Sequence, residues 1–211
     1  MRRAVVLGLM ALAPLLACLP AAQAATPAET FVSDNINKGL AILNDKQLST
    51  EQRRSEFEQF LLGLTDMRPT ALYALGKYRR GASDADINSF AQAFQTYAVA
   101  VYHSYFNKYA GQTLKITGST NNHPGDDIVH TTLIDPDDKS GQPPLKVDFR
   151  VKTNSGKPLV VDLCVENIWL SEAERSQFTS VLDNNGGNIP ALVTRVKKQT
   201  TQMVGGSVPG H

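Results

Sequence analysis

Apolar and charged residues alternate along Leu145-Lys146-Val147-Asp148-Phe149-Arg150-Val151-Lys152. Because successive side chains of a strand point to opposite faces, this pattern predicts a strand with one apolar and one charged face. The turn sequence Asn154-Ser155-Gly156 follows, and it predicts an antiparallel hairpin with the next strand. The residues predicted to share the apolar face of that second strand are Leu159, Val161, Leu163 and Val165. The hairpin therefore predicts a sheet that covers something apolar on one side only.

The hairpin belongs to a longer region with the two-residue period of β-strands. Short, turn-rich joins such as Asp135-Pro136-Asp137-Asp138 separate the strands, and such joins favour antiparallel pairing. We therefore expect a four-stranded antiparallel sheet, with strands at 113–119, 127–134, 145–153 and 159–168.

Helical periodicity occurs on both sides of the sheet in the sequence. Apolar residues at three- and four-residue steps, together with capping residues, predict helices from Thr26 to Leu43, from Ser49, from Pro69 to Gly81, from Ser83 to Tyr109, from Ser171 and from Pro190. The helix that starts at Ser49 has one apolar face, formed by Phe57, Phe60, Leu61 and Leu64. Runs of helices before and after an antiparallel sheet predict an α+β domain, with the helices packed on one face of the sheet.

The N-terminal end of the chain has the composition of a targeting signal, and the C-terminal end has that of a flexible tail. Met1-Arg2-Arg3 is followed by an apolar run and by Ala22-Gln23-Ala24, which predicts a signal peptide over 1–24, cut after Ala24. A rival interpretation is a lipobox at Leu15-Leu16-Ala17-Cys18, in which Cys18 would be lipidated. The expected folded domain covers 25–200, and the glycine-rich end predicts a disordered tail over 201–211.

Composition excludes several classes of function for the 211-residue chain. It has 21 basic and 20 acidic residues, so no strong positive field is available to attract nucleic acid. Two cysteines exclude a disulfide-stapled scaffold, and the four histidines have no metal-ligand spacing. No phosphate loop, dinucleotide fingerprint or Gly-x-Ser-x-Gly elbow occurs.

One cluster of titratable residues offers candidate chemistry. Asp148, Asp162 and Glu166 lie on the polar sides of the two hairpin strands, close to Arg150. Paired carboxylates can perform acid–base catalysis, which leaves a hydrolase as an alternative. A cross-strand ion-pair network is the other interpretation, because an arginine lies between the carboxylates.

The remaining features are two apolar surfaces. The helix from Ser83 has an aromatic stripe, and the sheet has an aliphatic face. The two surfaces either pack on each other as a filled core, as in a structural envelope protein, or enclose a slot for an apolar ligand. Periodicity does not separate these two possibilities.

Several sequence blocks resemble the MlaC family of periplasmic phospholipid-transport proteins. Leu75-Gly76-Lys77-Tyr78-Arg79-Arg80 resembles the Leu-Gly-Arg-x-Trp-Arg block of that family. Val147-Asp148-Phe149-Arg150 resembles its Val-Asp-Tyr-Arg strand, and Val161-Asp162-Leu163-Cys164-Val165-Glu166 resembles its Tyr-Asp-Val-x-Val-Glu strand. Glu174-Arg175-Ser176-Gln177-Phe178 resembles its Tyr-Arg-Ser-Gln-Phe block. The similarity keeps its order over about 28–198.

The resemblance implies a cofactor-free, non-catalytic lipid-binding domain that encloses an apolar pocket. It implies a shuttle that carries phospholipid between an inner-membrane ABC transporter complex and an outer-membrane lipoprotein complex. A hopanoid is the alternative ligand. The aromatic stripe and the inward-facing strand residues are the expected lipid contacts, with Tyr97, Tyr102 and Tyr105 at the mouth of the pocket. The predicted lipid-binding residues are Phe94, Tyr97, Val101, Tyr105, Val147, Phe149, Val161, Leu163 and Val165.

Overall fold

The computed structural model describes residues 24–204, which form six α-helices and a five-stranded antiparallel sheet. The helices are α1 (Pro27–Asn44), α2 (Thr50–Leu64), α3 (Met67–Ala74), α4 (Asp84–Phe106), α5 (Leu170–Asn184) and α6 (Ile189–Val204). The strands are β1 (Thr113–His123), β2 (Asp126–Ile134), β3 (Lys146–Asn154), β4 (Lys157–Val165) and β5 (Ile168–Trp169). The α+β prediction is confirmed, and the sheet has one short strand more than predicted.

The first two helices begin at capping boxes. The Thr26 hydroxyl accepts from the Glu29 N–H at 3.2 Å, and the Glu29 carboxylate accepts from the Thr26 N–H at 2.9 Å. Ser49 and Gln52 make the same reciprocal pair before α2. Both pairs satisfy N–H groups that the first helical turn leaves without partners, so local sequence positions these helix starts.

The third predicted helix is interrupted. α3 begins at Met67, after the Asp66 cap, and ends at Ala74; a 3₁₀ helix, Gly76–Gly81, follows it. Gly76 has a φ of +56°, and a Cβ atom there would lie 2.9 Å from a methyl group of Thr179. The prediction of one continuous helix from Pro69 to Gly81 was therefore wrong, because the chain turns at Gly76 to pack against α5.

The sheet is a meander in which each strand pairs with its sequence neighbours. The predicted β3–β4 hairpin is present, with Ser155 and Gly156 at positive φ in its turn. A second tight turn divides the predicted strand 159–168, because Glu166 (φ 48°) and Asn167 (φ 66°) reverse the chain into β5. The sequence signal was weak here because no glycine occupies this turn.

A β-bulge changes which residues of β4 face inward. Phe149 pairs with Leu163 as expected, but Val151 pairs with Val160, which leaves Val161 as the extra residue. Residues that pair across antiparallel strands share a face, so Val160 joins Val151 on the inner face. Leu159 pairs with Lys152 instead. The predicted inward parity of Leu159 was therefore wrong, and Val161 lies at the irregularity.

α5 begins without a cap from its own sequence. It starts at Leu170, one residue before the predicted cap Ser171. The N–H and hydroxyl of Ser171 both donate to the Asp162 carboxylate of β4, so a neighbouring strand supplies the acceptor. At the other end of the chain, α6 extends to Val204, beyond the boundary predicted at 200. Residues 1–23, with Cys18 and nearly all of the expected signal peptide, lie outside the described residues, as do residues 205–211 of the expected tail.

Candidate functional site

The interior contains two separate groups of buried apolar residues. The larger one, the helical core, joins α3, α4, α5 and α6 around Phe178, whose ring lies edge-on to Phe90 with centroids 5.6 Å apart. The smaller one lies between α1 and the sheet and consists of Ala28, Val32, Val129 and Val151. A domain of this size commonly has one contiguous core, so the division marks a region where the apolar faces do not meet.

α2 lies across that region. None of its residues is buried, although it has the apolar face predicted from the sequence. Polar contacts hold it to its neighbours: Arg53 donates to the Leu43 carbonyl at 3.2 Å, and Glu58 lies 3.1 Å from His103 of α4. α2 is thus attached to α1 and α4 while its apolar face points into open space.

The first part of this space, lobe 1, lies between β4 and helices α2, α3, α4 and α5. Its volume is about 880 Å³, including the mouth. Its apolar walls come from Leu61, Leu64, Met67, Phe94, Tyr97, Ala98, Val101, Tyr102, Phe149, Val160, Val161, Leu163 and Leu170.

The second part, lobe 2, lies between α1, α2 and the sheet, with a volume of about 840 Å³. Leu61, Leu64, Phe149 and Val160 line both lobes, so the two lobes adjoin along these four side chains. The other apolar walls of lobe 2 come from Phe31, Val32, Ile36, Leu40, Leu43, Phe57, Phe60, Tyr109, Leu114 and Leu133.

The two lobes differ in polarity. In lobe 2, Asn35 already donates its side-chain amide to the Phe31 carbonyl at 2.8 Å. Lobe 1 adds Asp162, Ser171 and Glu174 near the start of α5, and the Tyr97 hydroxyl donates to Glu174 at 3.1 Å. Burial, followed by the charge of Glu174, raises the pKa of Tyr97, so this phenol stays protonated and remains a donor. Lobe 1 therefore has a polar end, and lobe 2 is almost entirely apolar.

Six of the nine predicted lipid-binding residues line lobe 1. They are Phe94, Tyr97, Val101, Phe149, Val161 and Leu163. Tyr102, expected at the mouth, lines lobe 1 as well, and burial raises its pKa.

The other three predicted residues line neither lobe. Tyr105 is 65% exposed, and Val147 and Val165 are half-buried farther along the sheet. Sequence reasoning missed Val160, whose inward direction depends on the bulge, and the whole wall from α1 and α2. The apolar face of α2 was visible as a pattern, but a pattern does not show whether protein or ligand covers it.

The three candidate catalytic carboxylates have separate structural partners. Asp148 lies 3.1 Å from the His130 ring, and Glu166 accepts from the Lys146 N–H at 2.7 Å. Asp162 accepts from Ser171 and from the Leu163 N–H. The three carboxylates therefore do not share one acid–base site. Arg150, which was expected to lie between them in an ion-pair network, forms its salt bridge with Asp126 instead.

Within residues 24–204, no three His, Cys, Asp or Glu side chains form a group that could hold a metal ion. None of the helices described is long and apolar enough to cross a membrane.

A meander sheet and helices that enclose a bipartite apolar cavity define an α+β protein built to enclose an apolar ligand. The family model described as "MlaC protein" matches residues 33–198, and the chain belongs to the MlaC family. The fold is also similar to a solved structure of a phospholipid-binding protein from Ralstonia solanacearum in complex with a phospholipid. That comparison has a TM-score of 0.72 at 21% identity and covers 84% of this chain and 98% of the other, which shows a shared fold. The resemblance predicted from sequence is confirmed.

Proposed function

We propose that this protein is a periplasmic phospholipid carrier whose two lobes hold the acyl chains. The observation that carries the proposal is the apolar cavity beneath α2, a helix with an apolar face and no buried residue. Membership of the MlaC family supports the same function, as does the fold shared with the phospholipid-binding protein. The proposed partners are an inner-membrane ABC transporter complex and an outer-membrane lipoprotein complex, between which the carrier shuttles.

The free energy of hydration explains why such a carrier needs an enclosed cavity. Two acyl chains of about 16 carbons contain roughly 30 methylenes, and exposing them to water costs on the order of 25 kcal/mol at about 0.8 kcal/mol each. A carrier lowers this cost by covering the chains, and it leaves the charged headgroup near water. Two adjoining apolar lobes with one polar end fit a molecule with two apolar chains and one polar end.

The cavity shape favours a two-chain lipid over the hopanoid alternative. Leu61, Leu64, Phe149 and Val160 line both lobes, so the cavity consists of two adjoining parts. A rigid fused-ring ligand would fill one lobe and leave the other as an apolar cavity. The hydrolase alternative has less support, because Asp148, Asp162 and Glu166 each serve a different structural contact.

Organic extraction tests the proposal directly. We expect protein purified from its native periplasm to release phospholipid, identified by mass spectrometry, in about equimolar amount. Recovery of a hopanoid, or of no lipid, would contradict it. Intact-mass measurement of the same sample should show Ala25 as the first residue, whereas the mass of a lipidated Cys18 would contradict a freely diffusing carrier.

A pair of variants on α2 locates the ligand. Leu61 lines both lobes, and its neighbour Leu62 is also half-buried but lines neither. We expect Leu61→Glu to lose co-purifying lipid, because it places a carboxylate among the acyl chains. Leu62→Glu, the control, should retain it. Equal lipid content in the two variants, both folded by circular dichroism, would place the ligand elsewhere.

A further inference from the structure

A second recess adjoins lobe 1 along the edge of β4. Its volume is about 1130 Å³ with its open mouth, and it shares Thr70, Val161, Asp162 and Ser171 with lobe 1. β5 pairs only with Cys164 and Val165, so among the described residues no strand covers the earlier part of β4. The bulge at Val161 therefore lies on the boundary between the apolar lobe and this outer recess.

The outer recess, called the polar groove below, is lined by charged and aromatic side chains. They include Asp66, Tyr73, Arg150, Lys152, Trp169 and Glu172. Such a lining differs in kind from that of either lobe, and it begins where lobe 1 has its own polar end.

The positive groups of the groove lie together on β3. Arg150 makes two hydrogen bonds with the buried Asp126, from Nε at 2.9 Å and from Nη2 at 2.6 Å, and Lys152 Nζ lies 3.7 Å from the same carboxylate. Asp126 thus neutralises much of the charge of Arg150 and fixes its position. Lys152 makes the longer contact with Asp126 and its side chain is 40% exposed, so it can turn towards a phosphate.

Glu172, Tyr73 and Trp169 lie on other elements, namely α5, α3 and β5. Glu172 accepts from the Tyr73 hydroxyl, and Trp169 stands just before α5. Asp66, the cap of α3, and Asp162, which pairs with Arg150 across β3 and β4, add two more carboxylates. The groove lining therefore has three acidic and two basic groups. Arg175 stacks on the ring of Tyr73 at 4.8 Å but does not line the groove.

We propose that the polar groove binds a zwitterionic phospholipid headgroup, phosphoethanolamine or phosphocholine, and discriminates against headgroups with a net negative charge. The phosphate meets Lys152 and Arg150, and the ammonium meets Glu172 and the aromatic faces of Tyr73 and Trp169. The excess of carboxylates is what disfavours an anionic headgroup, which brings the phosphate without a compensating ammonium. This inference rests on the proposed function, since the acyl chains must occupy the lobes for the headgroup to reach the groove.

A competition experiment tests the headgroup preference. Delipidated protein is incubated with vesicles that contain phosphatidylethanolamine and phosphatidylglycerol with identical chains in equal amounts. The protein is then separated from the vesicles, and its bound lipids are quantified by mass spectrometry. We expect at least about a threefold excess of phosphatidylethanolamine, the effect of one unit charge at several ångströms near water.

The double variant Asp66→Asn/Glu172→Gln tests whether the polar groove is the place where the headgroup is recognised. Asn still caps α3, and Gln still accepts from Tyr73, so both changes remove charge while keeping hydrogen bonds. We expect the lipid ratio to fall to about one. The control is Glu56→Gln, which removes the same kind of charge from an exposed position on α2 and should keep the wild-type ratio.

The outcomes separate this inference from the proposed function. If wild-type protein binds both lipids equally, or if the double variant keeps the wild-type ratio, the headgroup inference is overturned and the carrier function stands. If Glu56→Gln lowers the lipid ratio as much as the double variant does, the headgroup inference is also overturned. The net charge of the protein, rather than the groove, would then set the headgroup preference. If the wild-type protein acquires neither lipid, both the inference and the proposed function fail.

Discussion

The helical core and the cavity beneath α2 are built from the same kind of residues and behave differently. In the helical core, Phe178 is 1% exposed and contacts the rings of Phe90, Phe94 and Tyr97. In the cavity, the apolar faces of α2 and the sheet stay apart, and their side chains remain half-buried. Because burial and packing supply most of the stability of a fold, the helical core should carry the stability and the cavity should carry the ligand.

The largest effect on stability should come from creating a cavity in the helical core. Phe178→Ala removes a fully buried ring, and we expect it to lower the free energy of unfolding by about 3–5 kcal/mol. Phe60→Ala in α2 removes a half-buried ring from lobe 2 and should cost only about 1 kcal/mol in lipid-free protein. Urea denaturation of both variants measures the difference.

The lipid state provides a second comparison between these variants. A ligand that binds only the folded protein stabilises it, so lipid-loaded Phe60→Ala should lose part of that stabilisation relative to loaded wild type. If Phe60→Ala destabilises the lipid-free protein as much as Phe178→Ala does, the cavity region is as well packed as the helical core and the division is wrong.

Local sequence was sufficient to predict most of the helices and strands. Capping residues such as Thr26 and Ser49 act on N–H groups three residues away, so the helix starts they predict need no tertiary information. The β3–β4 hairpin has the same local character. The start of α5 does not, because its acceptor is Asp162, a residue of another element.

The candidate site was predictable only in part, for a geometric reason. Alternation gave the correct face for Phe149 and Leu163, but the bulge exchanged the roles of Val160 and Leu159 as inward residues. A bulge depends on how β4 pairs with β3, which a period along one strand does not record. The α2 wall was missed because an amphipathic helix has the same sequence whether protein or ligand lies beneath it.

A smaller effect should come from the ion pair on the outer side of the sheet. The hydrogen bonds from Arg150 hold the pKa of Asp126 below its usual range. A carboxyl whose pKa is lower in the folded state contributes stability above its unfolded pKa of about 4 and loses it as the pH falls through the folded pKa. We therefore expect Asp126→Asn to lower the free energy of unfolding by about 1–3 kcal/mol at pH 7.

The pH profile distinguishes this ion pair from a general charge effect. Below about pH 4, the free energy of unfolding should fall less steeply with decreasing pH in Asp126→Asn than in wild type, as measured by urea denaturation. Asp127→Asn is the control, because Asn can still accept from Asn121 at the same position. Equal profiles for wild type and Asp126→Asn would mean that Asp126 does not titrate differently in the folded state.

The smallest effect should come from removing the hydroxyl of Tyr97, a residue that belongs to both regions. Its ring packs edge-on against Phe178 in the helical core, 6.2 Å between centroids, while its hydroxyl reaches Glu174 in lobe 1. Tyr97→Phe keeps the ring and removes one hydrogen bond, so it should cost about 0.5–1.5 kcal/mol. Tyr97→Ala removes the ring as well and should cost about 3–5 kcal/mol, close to Phe178→Ala. If Tyr97→Phe costs as much as Tyr97→Ala in urea denaturation, the polar end of lobe 1 rather than the aromatic packing holds α4 against α5, and stability and ligand binding are not assigned to separate regions.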